Sequence, residues 1–193
     1  GLKHPPDGAY PAVDPASGRR RQFTHDVILQ ETLRFIREHK DRPFFCYAAW
    51  TIPHGRWHIL ENDPAWAMFK DKPWKTDEKV VAAMNAMLDR SVGQVLALLH
   101  ELGLDDKTLV LFTSDNGAGR RLEGVLDCVG PLRGQKGTLY EGGLRVPLLA
   151  RWSGRIPPGT TADLPVYFAD IAPTLMELAG APPQGVDSPS PPV

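Results

Sequence analysis

Cysteine is scarce in this 193-residue chain, with only Cys46 and Cys128 present. Two positions in a sequence do not define a bridge, so they leave the redox compartment open. Long apolar runs are missing too. None approaches the roughly 18 residues that span a bilayer, which excludes a transmembrane segment of that kind. An excess of one charge is likewise absent: 22 basic residues face 23 acidic ones, for a net charge of −1. That balance lacks the electrostatic footprint of a nucleic-acid binder or of an anionic-membrane binder. The one dense basic run, Arg19-Arg20-Arg21, falls in a stretch rich in Pro and Gly and reads as a solvated loop. There is no initiator Met, no signal-peptide pattern and no internal repeat. The opening Gly1-Leu2-Lys3-His4-Pro5-Pro6 reads as mid-loop, as expected of a truncated start.

What remains has the composition of an ordinary globular domain, 42% hydrophobic and 23% charged, with enough length for a sizeable core. Three regions are expected: an irregular N-terminal segment over 1–22, the main body over 23–180, and a Pro-rich tail over 181–193. A helix is expected from Thr24, capped by that threonine, with Asp26 at its positive end and Arg37, His39 and Lys40 at its negative end. Pro43 breaks it. The continuous apolar run Phe44-Phe45-Cys46-Tyr47-Ala48-Ala49-Trp50 reads as a strand buried on both faces. Residues 51–73 read as a long functional loop with at most a short helix.

A strong helical period follows over 77–102, closed by Gly103. Residues 108–113 read as a second buried strand, 144–151 as a third, and 167–178 as a last helix ended by Gly180. Helices alternating with fully apolar strands predict an α/β sandwich with a mainly parallel sheet, whose functional loops leave the C-terminal ends of strands.

Three polar clusters bear on chemistry. Ser114-Asp115-Asn116-Gly117 follows the second strand and offers a carboxylate beside an amide oxygen, two hard donors suited to calcium or magnesium. An Asx-type turn closing the strand explains the same tetrapeptide. Pro53-His54-Gly55-Arg56-Trp57-His58 follows the first strand. Its imidazoles and guanidinium suit proton transfer and oxyanion contact. A zinc site lacks a suitable Cys or Glu nearby, and a loop histidine without a role is the plain alternative. The third cluster, Pro131 to Gly143, sets Lys136 among glycines that allow close approach to a tetrahedral anion. It lacks the spacing of a phosphate loop, and a surface loop with incidental charge fits equally well.

Order separates these readings. Arg42-Pro43-Phe44-Phe45 leads into Pro53-His54. Ala83-Met84 and Leu88-Asp89-Arg90-Ser91-Val92-Gly93 lie on the long helix. Then come Thr113-Ser114-Asp115-Asn116-Gly117, Leu132-Arg133-Gly134-Gln135-Lys136-Gly137 through Glu141-Gly142-Gly143-Leu144-Arg145-Val146-Pro147, and Asp170-Ile171-Ala172-Pro173-Thr174-Leu175. Taken together and in this order, over about 23–186, the blocks resemble the sulfatase family of the alkaline-phosphatase-like superfamily.

The resemblance implies a partial alkaline-phosphatase-like sandwich, mainly parallel, that forms the C-terminal half of a sulfatase catalytic domain. It also implies hydrolysis of sulfate esters. Asp115 and Asn116 look like two ligands of a divalent cation, usually calcium. His54 looks like the histidine at the ester and leaving oxygen, and Lys136 like the lysine that neutralises the sulfate. Arg56 and Arg133 are expected to bind substrate, possible partners being sulfated carbohydrates, with Trp57, Trp66 and Trp74 either stacking on sugars or packing in the core. The family's nucleophile is a formylglycine made from Cys-x-Pro-x-Arg or a serine equivalent. Cys46 is followed by Tyr47-Ala48-Ala49 and Cys128 by Val129-Gly130-Pro131, so neither fits. The formylglycine and the paired aspartates that complete the metal site are expected upstream, which makes this polypeptide alone inactive. A phosphodiesterase or phosphonate hydrolase of the same superfamily, or a non-catalytic remnant that binds sulfated glycans, are the alternative functions. An extracytoplasmic location follows only from the resemblance.

Overall fold

A computed structural model describes residues 9–19, 21–55, 57–119 and 125–181. Its elements in chain order are β1 (Ala9–Tyr10), α1 (Thr24–His39), β2 (Ile59–Leu60), α2 (Pro64–Phe69), α3 (Thr76–Glu101), β3 (Val110–Thr113), α4 (Glu141–Leu144), β4 (Leu148–Arg151) and α5 (Phe168–Leu178). The chain divides after Pro157 into two units.

In the first unit α3 is the spine. Its apolar residues recur every three to four positions and serve two cores. Val80, Ala83, Met84 and Met87 pack with Phe23, Ile52, Ile59, Ala65 and Trp66. About three turns further on, Leu98 and Leu99 pack with Leu29, Leu33 and Ile36 of α1. Each such side chain taken fully out of water contributes about 1.5–3 kcal/mol before ordering costs. Gly103 stops the helix. Its φ of 64° lets its N–H reach His100 O at 3.0 Å, while Leu104 N–H reaches Leu99 O at 2.9 Å. This paired arrangement satisfies two carbonyls at the helix end.

Two side chains tie α2 and α3 together. Asp63 caps α2 by accepting from Ala65 N–H at 2.7 Å, and Pro64 occupies the first helical position. The same carboxylate accepts two bonds from Arg90 of α3, at 2.9 and 3.1 Å. At the start of α3, Glu78 is buried and accepts from Lys75 N–H at 3.0 Å and Val125 N–H at 3.1 Å. Nothing marks it in the sequence except a glutamate three residues into a helix.

Several expectations need correction. α1 begins at Thr24, but its N-cap is Phe23 and no side chain caps it. Thr24 is already helical, so its hydroxyl does not act as the cap. The last helix starts at Phe168, one residue later than expected, and Gly180 closes it with φ 69°.

The sheet differs more. Residues 44–50 form no strand. Their burial alternates, with Phe44, Cys46, Ala48 and Trp50 half-buried while Phe45, Tyr47 and Ala49 are exposed, and Trp50 N–H donates to Ala48 O at 2.9 Å. A strand is defined by its ladder, and among the described residues nothing pairs with this segment. The described strands make two separate pairs. β1 and β2 are parallel over two residues, and β3 and β4 are antiparallel, with Val110 opposite Arg151 and Thr113 opposite Leu148. The α/β class therefore holds, but the described residues do not form a mainly parallel sheet. The third strand is also shorter than expected, because Glu141–Leu144 are helical.

In the second unit α5 carries Pro173 at its sixth residue, inside the helix, where the ring removes the bond that an N–H would make to Ala169 O. Asp170 accepts from Tyr167 N–H at 3.0 Å at its start. The expected Pro-rich tail beyond Ala181, like residues 1–8 and 20 of the segment expected before 23, lies outside the described residues.

Candidate functional site

β3 ends at Thr113 and releases the run Ser114 to Gly119. Ser114 Oγ donates to Asn116 O at 3.1 Å, which ties the turn across two residues. The turn does not use up the donor set. The Asp115 side chain is exposed and Asn116 half-buried, and neither makes a side-chain hydrogen bond among the described residues. Both side-chain oxygens are left for a ligand.

The run is stitched to the glycine-rich segment 131–145 by backbone bonds. Gly117 N–H donates to Gly143 O at 3.0 Å, and Lys136 N–H donates to Ala118 O at 2.9 Å. Glycine is needed here for space. A Cβ on Gly117 would lie 1.9 Å from Gly142 O, one on Gly142 2.4 Å from Gly134 O, and one on Gly143 2.2 Å from Thr138 O. No side chain fits such backbone-to-backbone distances. The Lys136 turn is itself built by Thr138, whose Oγ1 accepts from Gln135 N–H at 3.0 Å and donates to Gln135 O at 2.8 Å. Lys136 is exposed at the tip of this turn, with Gly137 after it at φ 86°.

Asp115, Asn116 and Lys136 thus sit on two loops held against each other. Arg133 belongs to the same loop but is engaged. Its Nη2 donates to Tyr140 Oη at 2.8 Å, and the guanidinium carbon lies 3.8 Å from the Tyr140 ring centroid. Tyr140 orients Arg133, a role not read from the sequence, where only a tyrosine seven residues after an arginine marks it.

His54 stands on another segment. It follows a cis Ile52–Pro53 peptide, its N–H closes a turn on Thr51 O at 2.9 Å, and its ring is exposed. Among the described residues no hydrogen bond joins it to the Asp115 or Lys136 loops. Arg56 lies outside the described residues. Of the three tryptophans weighed as sugar platforms, Trp66 is a core residue, 7% exposed, and half-buried Trp57 packs against the same core. Trp74 is half-buried beside Phe69, ring centroids 5.9 Å apart.

Two adjacent hard oxygens suit calcium, which takes about six to eight such ligands. No group of three or more His, Cys, Asp or Glu able to hold a metal occurs among the described residues. The residues present fit part of a calcium site. Neither cysteine has the character of an activated nucleophile, since burial pushes both thiols above their ordinary range, aided at Cys128 by Asp127.

An α/β chain with a metal-type loop after a strand, stitched to a glycine-rich lysine loop, is the class that fold and site define. Residues 7–181 match the family described as Sulfatase, and the chain belongs to it. It is 37% identical over 164 residues to arylsulfatase A of Homo sapiens, covering 85% of this chain and 29% of that protein. N-acetylgalactosamine-6-sulfatase of Canis lupus familiaris is 36% identical over 163 residues, covering 81% and 29%. Among solved structures, Ps i-CgsB in complex with k-i-k-neocarrahexaose superposes with a TM-score of 0.74 at 32% identity, covering 87% of this chain and 37% of that one. The chain therefore spans less than a third of the two curated relatives.

Proposed function

We propose that this chain forms the sulfate-binding and part of the cation-binding side of a sulfatase active site, in a protein that hydrolyses sulfate esters. Asp115 and Asn116 contribute oxygens to a calcium ion. Lys136 binds the sulfate and offsets charge on the leaving oxygen, His54 assists that oxygen, and Arg133 and Arg56 bind the remainder of the substrate. Bound calcium would supply further positive charge at the ester. Sulfuryl transfer concentrates negative charge on peripheral and leaving oxygens, and each of these groups stabilises it. The formylglycine nucleophile is not encoded in this chain, so the hydrolytic step needs further polypeptide. The fold expected of the complete site is the alkaline-phosphatase-like sandwich, and its expected location is extracytoplasmic. No helix among the described residues is long and apolar enough to cross a membrane.

The stitching of the two loops carries this reading. The bonds Gly117–Gly143 and Lys136–Ala118 hold a cation-type pair and an ammonium together, and the close backbone approach leaves little freedom to separate them. A sulfated carbohydrate is the substrate class we favour. One relative is named for a sulfated amino sugar, and Ps i-CgsB was solved with an oligosaccharide.

The test is an NMR titration of the chain, first with calcium and then with sulfate. Calcium should shift the amides of Asp115 and Asn116 with weak affinity, because so few of its ligands are present. Sulfate should shift residues 133–138, and Lys136→Ala should remove that response. A sulfate response confined to other residues, or unchanged in Lys136→Ala, would defeat the assignment.

A further inference from the structure

Glu78 is a carboxylate that the functional reading above does not use, yet it is only 3% exposed. Burying a carboxylate is costly unless its oxygens are hydrogen-bonded. Here each oxygen takes one backbone N–H, Oε2 from Lys75 at 3.0 Å and Oε1 from Val125 at 3.1 Å. The first bond is the usual duty of a glutamate three residues into a helix, and it can be performed at the surface. The second reaches 47 residues along the chain, to the stretch that leads into Arg133. Helix capping does not account for it.

The stretch from Val125 to Leu132 is tied to itself by short-range bonds. Cys128 N–H donates to Leu126 O at 2.9 Å, Gly130 N–H to Asp127 Oδ1 at 3.0 Å and Leu132 N–H to Val129 O at 3.3 Å. Val129 is where this stretch meets the lysine loop. A Cβ on Gly142 would lie 2.6 Å from Val129 Cγ1, so that methyl group rests directly on the Gly142 backbone. Gly142 N–H in turn donates to Arg133 O at 2.8 Å, and the neighbouring Gly143 O accepts from Gly117 N–H at 3.0 Å. A continuous path of hydrogen bonds and packing therefore runs from Glu78 to the loops of Lys136 and Asp115.

We infer that Glu78 is a positioning residue for the sulfate-binding loop. It holds Val125, and through Val129 it fixes the place of the Gly142 backbone, and with it that of Arg133 and Lys136. The inference rests on the reading of Lys136 as the sulfate ligand and adds the residue that keeps its loop in place. An anion site binds well only when its donors stand ready, because binding must otherwise order them first. Without the Val125 bond the loop visits other positions, and sulfate affinity falls by the fraction of time the competent one is lost.

The test compares Glu78→Ala, Glu78→Gln and Gly103→Ala in the full chain, with inorganic sulfate as the probe. Gly103→Ala weakens the other end of α3 and is the control for lost stability. Without sulfate, the Lys136 and Gly142 amides should exchange about fivefold faster in Glu78→Ala than in Gly103→Ala. Sulfate affinity, read from the shifts of residues 133–138, should fall about fivefold or more in Glu78→Ala and hold in Gly103→Ala. Glu78→Gln keeps one acceptor oxygen and should lose less. The parent chain gives a reading that needs no variant. Coupling is reciprocal, so saturating sulfate should slow exchange of the Val125 amide by about the same factor. The inference is overturned if Glu78→Ala changes exchange and sulfate affinity no more than Gly103→Ala does, or if Val125 exchange ignores bound sulfate. Absence of a sulfate response in every chain, with Lys136 and Gly142 still loosened in Glu78→Ala, would defeat the functional reading and leave the hold of Glu78 on the loop standing.

Discussion

Asp63 does two structural jobs in the first unit, since it caps α2 and holds Arg90 of α3 in a two-pronged pair. Asp63→Ala should cost about 2–3 kcal/mol by urea denaturation. Asp63→Asn, which keeps an acceptor for the cap, should cost clearly less. His25 offers a sharper test. It is buried, and its Nε2 lies 2.8 Å from Ser91 Oγ. That hydroxyl donates to Met87 O at 2.9 Å, so Nε2 carries the proton and donates to Ser91. The other ring nitrogen is buried and has no hydrogen-bond partner among the described residues. Burial, and then the Arg90 charge, push its pKa below 6.5, with Asp63 opposing. The folded state therefore binds this proton less readily than the unfolded chain. His25 contributes stability that is complete above about pH 6.5 and is lost as the pH falls through the lowered value. Asp26 shifts the other way, raised above 3.8 first by burial and then by Asp63, and its effect belongs to more acid conditions. Stability measured at pH 7.5 and 5.5 should fall for the parent chain, and the fall should shrink in His25→Gln. An unchanged slope would show that other groups dominate. Neither role is legible in the sequence, where His25 and Ser91 stand 66 residues apart.

Among the elements, the three long helices α1, α3 and α5 followed from the sequence nearly to the residue, because periodicity and end signals are local, whereas the short α4 was not expected. The expected 77–102 helix is observed as Thr76–Glu101 and ends at Gly103 as expected. Gly103→Ala should cost about 1 kcal/mol by chemical denaturation, since a side chain at φ 64° is strained although no atom crowds it. Gly142→Ala should act differently. Its Cβ would meet Gly134 O at 2.4 Å, so the glycine-rich segment that carries Gly143, the partner of Gly117 N–H, must shift. Loosening of the Asp115 and Lys136 loops should appear as faster amide exchange at Gly117 and Lys136, with a cost on the order of 1–3 kcal/mol. Strands were less legible. The apolar run at 44–50 spells burial on two faces, while the described residues supply a covering for only one. Leu148 and Leu149 of β4 are likewise exposed, for all their strand-like composition.

At the scale of the whole molecule, catalysis needs a nucleophile, and electrostatic groups without one retain only a remnant of the rate. Purified chain with a chromogenic aryl sulfate and added calcium should therefore show no turnover above buffer. Turnover that disappears in His54→Ala would reveal a nucleophile elsewhere in the sequence. The sequence by itself determined the family, the helices and the identity of the polar clusters, because each is written in local order: a period, a terminator, a motif. It also excluded the formylglycine signature from this chain. Tertiary structure alone decided which clusters meet. Backbone bonds join the Asp115 and Lys136 loops, Tyr140 takes hold of Arg133, Trp66 goes to the core rather than to a sugar, and His54 stands on a separate segment. The physical reason is that a motif specifies which chemistry a side chain offers. Its neighbours are set by packing between residues far apart in the chain, and no local pattern encodes that packing.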